Sequence, residues 1–289
     1  MNMTNPPSPM ATAANMDNAV ITNETSSDGT KISAAVTGGI LHNGGRSGDP
    51  ATYDESNETY TEKAGTIIIM ISIDADLSDG AMFGMMMAAT EIKSCVIQEL
   101  QAKSLYDKDI ATGSGTDQVV IVSNKNSETK IGYFGRDSDL FSCLSEVIRR
   151  SLFEALDRQS GMNMSYQCDP LIQMGRYGLV QDHIRDEIRF PARMDELLSA
   201  LASIRDDEYL ATMTSAILHI EDDVRHGLIP EEIGLELART ICLGSVLEPR
   251  EDPVEQLRLN SVENIEELVS YVSALKLMDV VKERRCSDE

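Results

Sequence analysis

The stretch ATGSGTDQVVIVS, residues 111–123, joins a glycine-rich turn to a β-branched run. Gly113, Ser114 and Gly115 stand among Thr112, Thr116 and Asp117. Glycine permits backbone angles and close approaches that other residues resist, so the turn reads as a loop built to contact something. The run VVIVS behind it reads as a buried strand that holds the loop still. An ordinary tight turn before a strand carries the same residues, and the loop alone does not choose between the two.

Working outward, the chain alternates strand and helix signals. Asn18–Glu24 and Lys31–Val36 are β-branched and alternating, and SSDG (26–29) between them reads as a hairpin turn. Residues 38–65 form a long loop rich in Gly, Asp, Asn and Tyr, a length that marks function or mobility. It contains NGGRSGDP (43–50), in which Arg46 and Asp49 flank turn glycines. Residues 66–73 read as a strand. Ser78 or Asp79 then caps a helix over 80–102. Met85, Met86 and Met87 are adjacent and cannot form one stripe. They read as core filling or as a flexible apolar wall against a large ligand. Glu91 and Lys93, two apart on this helix, do not share a face and look toward different partners.

After strand 118–123 come a polar turn (124–129), a short strand over 130–134 and a helix over 138–158. Segments 191–205, 208–227, 230–243 and 261–285 show apolar residues at 3–4 spacing with polar faces and read as helices, with Pro191 and Pro230 in first turns. LEPREDP (247–253) reads as a linker. The expected fold is α+β: a mixed β-sheet core with packed helices over residues 11–180, after a disordered 1–10, followed by an all-helical extension over 181–289.

Composition narrows the functions. The chain has 289 residues, 42% hydrophobic, and a net charge of −23 spread along its length. That charge opposes binding to a nucleic-acid backbone. No apolar run approaches a membrane span, and the N-terminus lacks a secretory signal's basic and apolar regions. Five cysteines without a CxxC pair fit a reducing cytoplasm and no disulfide framework. The four histidines form no HxH or HExxH pattern, so no metal site is expected; His219 and His226, two helical turns apart, read as solvated or core histidines.

Four ordered blocks then acquire meaning together: TGG (37–39) with NGGRSGDP (43–50), GTII (65–68), TEIK (90–93) and ATGSGTD (111–117). In order and spacing the chain resembles the adenosylcobinamide amidohydrolase family of corrinoid salvage, over about residues 11–180. The resemblance implies a cytoplasmic hydrolase that cleaves the amide between the aminopropanol arm and the corrin ring. It implies no cofactor, the corrinoid being the substrate. On it, Glu91, Asp117 and Lys93 are the catalytic candidates, with Glu91 as general base. Asn43, Arg46, Asp49, Thr112, Gly113, Ser114, Gly115 and Thr116 are the substrate-binding candidates. Backbone N–H groups of Gly113, Ser114 and Gly115 would stabilise the oxyanion. Self-association, if present, would use the helical extension.

Two departures accompany the resemblance. Where family members read G-[KR]-H-[ST]-K-L-G-E, this chain reads GRDSDLFSC (135–143), with Asp137 for the histidine and Asp139 for the lysine. Two aspartates cannot take over the proton transfer and anion holding of those residues. Only about 35 residues precede the TGG turn, where many members carry a larger β-rich segment. A non-catalytic corrinoid-binding or regulatory paralogue is therefore the alternative. A phosphate-binding module is the third reading, and it lacks GxxxxGK[ST].

Overall fold

The computed structural model describes residues 10–51, 53–57, 59–60, 66–179, 194–245 and 261–287. The expected disorder of 1–10, the linker 247–253, Gly65, His183 and Pro191 fall wholly or almost wholly outside these. The chain divides into two compact units, Met1–Asn163 and Met164–Glu289.

The first unit is an α+β layer structure. Its strands are β1 (Val20–Thr25), β2 (Lys31–Gly38), β3 (Gly44–Gly45), β4 (Tyr53–Asp54), β5 (Thr59–Tyr60), β6 (Ile67–Ile73), β7 (Asp76–Leu77), β8 (Gly113–Ser114), β9 (Gln118–Ser123) and β10 (Lys130–Ile131). The main sheet has the order β1-β2-β6-β9; the first two pairings are antiparallel and β6–β9 is parallel, so the sheet is mixed. The hairpin turns as SSDG predicts, with Gly29 at φ +88°.

Two long helices, α1 (Asp79–Glu99) and α2 (Asp139–Ser160), pack against each other and the sheet. Strand alternation decides which face they cover. The cross-strand rows Val36–Ile69–Val119 and Ala34–Ile71–Ile121 point into the core, joined by Ile32 and Ile73. Ala81, Met85, Ala89, Val96 and Ile97 of α1 and Leu144, Val147, Ile148 and Leu152 of α2 meet them. Ser78 caps α1 as expected, accepting from the Ala81 amide, and Ser138 caps α2 through Phe141. The opposite sheet face keeps Ile21, Met70 and Val122 exposed. The 118–123 run, expected to be a buried strand, is instead a half-buried edge strand. An unbroken β-branched run has no period-2 signal to tell one covered face from two.

α1 is long and apolar enough to cross a membrane by length and composition alone. In this fold one of its sides is instead the core layer described above.

The second unit is helical: α3 (Met164–Gln167), α4 (Pro170–Gly175), α5 (Met194–Arg205), α6 (Glu208–Arg225), α7 (Glu231–Ser245) and α8 (Ile265–Ser287). Leu171, Met174 and Tyr177, grouped by sequence with the preceding domain, belong to this unit's core. Residues 268–275 of α8 are buried without a break, so α8 is the central helix and not an amphipathic surface one. A buried clasp pins α4 to α6: Asp222 accepts from Arg176 at 3.0 and 2.7 Å and from the Tyr177 hydroxyl at 2.7 Å. Burial pushes the Tyr177 phenol far above its ordinary range. His219 reaches Asp223 at 4.0 Å, and His226 is the C-cap residue of α6.

Candidate functional site

The site begins with two loops that meet at one edge of the sheet. Strand β2 ends there, and β6 and β9 begin there, because Gly38 pairs with Ile67 and Ile68 with Gln118. The NGGRSGDP and ATGSGTD loops join as the antiparallel pair β3–β8, Gly44 opposite Ser114 and Gly45 opposite Gly113. Around them Thr112 N–H donates to the Gly45 carbonyl at 2.9 Å and Leu105 N–H to that of Gly44 at 2.9 Å. The glycines are required here for space: a Cβ on Gly44 would collide with the Lys103 carbonyl.

Beneath the pair lies an ion pair between Lys93 and Asp117, both largely buried. Asp117 is also the acceptor that shapes the loop. It takes the Ser114 N–H at 3.1 Å, the Ser114 hydroxyl at 2.5 Å and the Ile67 N–H at 3.1 Å. A carboxylate offers about four lone-pair sites. With Lys93 counted, these donors fill them, and Asp117 organises the loop. A Cβ on Gly113 would collide with both Asp117 Oδ2 and Lys93 Nζ, so the glycine leaves the room the ion pair occupies. Thr116 and Thr66 bridge β9 to β6 through their hydroxyls at 2.8 Å. Gly115 is the exposed tip.

The other predicted residues stand around this centre. Arg46 pairs with Asp109, a residue the sequence reading missed, and not with the Asp49 side chain. Asp49 Oδ2 instead takes the Arg46 N–H at 2.6 Å and the Ser104 hydroxyl at 3.1 Å. The Asn43 backbone N–H donates to the Ile40 carbonyl at 3.2 Å. Ser94 Oγ donates to the Thr112 carbonyl at 3.1 Å and ties α1 to the glycine loop. Of the proposed oxyanion donors, the Ser114 N–H is already committed to Asp117.

Glu91 lies one helical turn before Ser94, so the two share a face of α1. Its carboxylate is exposed and pairs with Arg136. Lys93 looks the other way, into Asp117, as the spacing predicts. A pair as open to water as Glu91–Arg136 is worth little and can exchange partners.

Of the two aspartates in the divergent 135–143 block, Asp137 follows Arg136, the partner of Glu91, and Asp139 lies at the far end of the sheet. Asp139 is in the first turn of α2, where the helix dipole favours an acid, and takes the Ser27 N–H of the β1–β2 turn at 2.6 Å. That bond holds its carboxyl below the usual range. Asp137 takes the Tyr133 hydroxyl at 2.9 Å. Ser27 and Asp139 are at the sheet edge opposite the glycine loops, about 20 Å away over the seven residues of β6. Among the described residues no group of three His, Cys, Asp or Glu gathers as a metal site.

Comparison with known proteins supplies the family. Residues 1–164, which span the first unit, match the family described as adenosylcobinamide amidohydrolase. An uncharacterised protein of Methanocaldococcus jannaschii is 34% identical over 162 residues, covering 52% of this chain and 62% of that protein, less than two thirds of its length. No solved structure matches the chain. With the family match covering more than half of its residues, the chain belongs to the adenosylcobinamide amidohydrolase family.

Proposed function

We propose that this chain hydrolyses the amide joining the aminopropanol arm of adenosylcobinamide to the corrin ring, giving adenosylcobyric acid and the free amino alcohol. The observation that carries the reading is an accessible carboxylate, Glu91, one turn along α1 from the point where Ser94 holds the glycine loop. Glu91 takes a proton from water as the water oxygen bonds to the amide carbon. The C–N bond then breaks, and the leaving amine takes the proton back from Glu91. Charge developing on the carbonyl oxygen meets backbone donors at the loop tip, with Gly115 the exposed one. Lys93 and Asp117 act as positioning residues, because their charges are spent on each other and on the loop. Arg46, held by Asp109, orients the substrate from the facing loop.

The free cysteines Cys95, Cys143, Cys168 and Cys242 support a reducing cytoplasm. Binding without turnover is the second reading, favoured by Asp137, next to the Arg136 that pairs with Glu91, standing in the place of a histidine. Incubation with adenosylcobinamide decides between them: adenosylcobyric acid detected by mass supports hydrolysis, and a bound but unchanged corrinoid supports the second reading. Glu91→Gln should lower kcat by about 10²–10⁴-fold.

A further inference from the structure

The outer side of α1 carries no charge from Gly80 to Thr90, in a chain whose residues are one quarter charged. Phe83, Met86 and Met87 are 70%, 42% and 74% exposed there. They stand at i, i+3 and i+4 and so form one contiguous face. The loop after β10 runs beside this face. A Cβ on Gly84 would come within 2.7 Å of the Phe134 carbonyl, and Arg136 reaches Glu91 about two turns further on. Met87 lies between those two contacts in the helix, and Tyr133, 67% exposed, precedes Phe134. The strip therefore runs directly into Glu91.

We infer that this strip is the platform on which the corrin macrocycle of the substrate lies while its amide arm reaches Glu91. The inference rests on the hydrolase reading above. From Phe83 to Glu91 the strip extends about 12 Å along the helix axis, a length suited to a tetrapyrrole-sized ring. An aromatic face and two thioether side chains match a broad, irregular, partly apolar surface, because methionine adapts its shape to a partner. The apolar strip ends on the exposed Glu91–Arg136 pair, whose carboxylate can exchange its partner for a polar arm of the ligand. Continuity with the proposed reaction centre singles out this occupant over a second copy of the chain or a lipid surface, either of which would meet the apolar face without needing Glu91 at its end.

The test is steady-state hydrolysis of adenosylcobinamide by the full chain and by Phe83→Ser and Met87→Glu, with Ile233→Glu on α7 as a control for an added surface charge. The platform requires KM to rise about 10- to 100-fold in the first two, the equivalent of one buried apolar side chain, with the loss in kcat/KM carried by KM. The control should match the native chain. Circular dichroism of each variant reports folding, and Met87→Leu should restore a native KM. If the native chain turns over and the two variants keep its KM, the platform is overturned while the hydrolase reading stands. An unchanged KM with an altered sedimentation coefficient, or with loss of binding to anionic vesicles, reassigns the face to self-association or to lipid and overturns it equally. If the native chain neither hydrolyses nor binds adenosylcobinamide, the hydrolase reading falls and the platform with it.

Discussion

Helices α1 and α2 are nearly equal in length, pack side by side on the same sheet, and bury comparable apolar stripes, yet their outer faces have opposite chemistry. The exposed side of α2 is laced with ion pairs: Arg149 with Glu99, Arg150 with Glu24 and Arg158 with Glu154. It exposes no large apolar side chain. The exposed side of α1 offers Phe83, Met86 and Met87, and its first charge after Asp79 is Glu91. Solubility and sheet packing explain α2 in full. They explain only the inner half of α1, and the remainder is accounted for by a ligand that meets an apolar surface and a carboxylate together.

The largest expected effect tests what fixes α1 to the glycine loop. Lys93→Met leaves Asp117 buried without its cation and should cost about 3–5 kcal/mol in urea denaturation. The double variant with Asp117→Asn should lose less than the sum of the two singles, since the two residues form one unit. Gly113→Ala comes next: the new Cβ must displace Asp117 or Lys93, costing about 1–3 kcal/mol and lowering turnover in parallel.

The outer faces themselves separate affinity from stability. Met87→Glu should leave denaturation within about 0.5 kcal/mol of native while raising KM. Arg149→Ala on α2 should do the reverse, costing about 0.2–1 kcal/mol and leaving KM alone. An α2 variant that changed KM as strongly as an α1 variant would erase the distinction.

The smallest effect is on pH. Asp139, Asp76 and Asp28 all have carboxyls held below the ordinary value, by the Ser27 amide, by Lys125 and Lys130, and by Ser26 and Thr30 respectively. A depressed carboxylate contributes stability above its unfolded value, about 3.9, and loses it as pH falls through the folded one. Asp139→Asn should therefore be less stable than native at pH 7, and the gap should close as pH drops below about 4.

Much of this was legible in the sequence. Alternation gave the hairpin strands, Gly29 its turn, and Ser78 the start of α1, because each is a local signal. The i, i+2 spacing sent Glu91 and Lys93 to different partners, though not to which ones. Lys93 finds Asp117 only because β9 lies parallel to β6 with α1 over both, a long-range arrangement no local window contains. The β3–β8 pairing escaped for the same reason: two glycine loops 70 residues apart have no periodicity to match. Asp139 looked like a lost lysine, whereas in the fold it clasps α2 to the β1–β2 turn. Exposure of the methionines was undecidable from composition, since Met85 is wholly buried and its two successors are not.

The most direct test of the account sets Glu91→Gln beside Met87→Glu in the hydrolysis of adenosylcobinamide, each compared with the native chain. The account predicts that the first loses kcat and the second raises KM, because a base and a platform on one helix face act on different terms. Native values of both constants in both variants would contradict it.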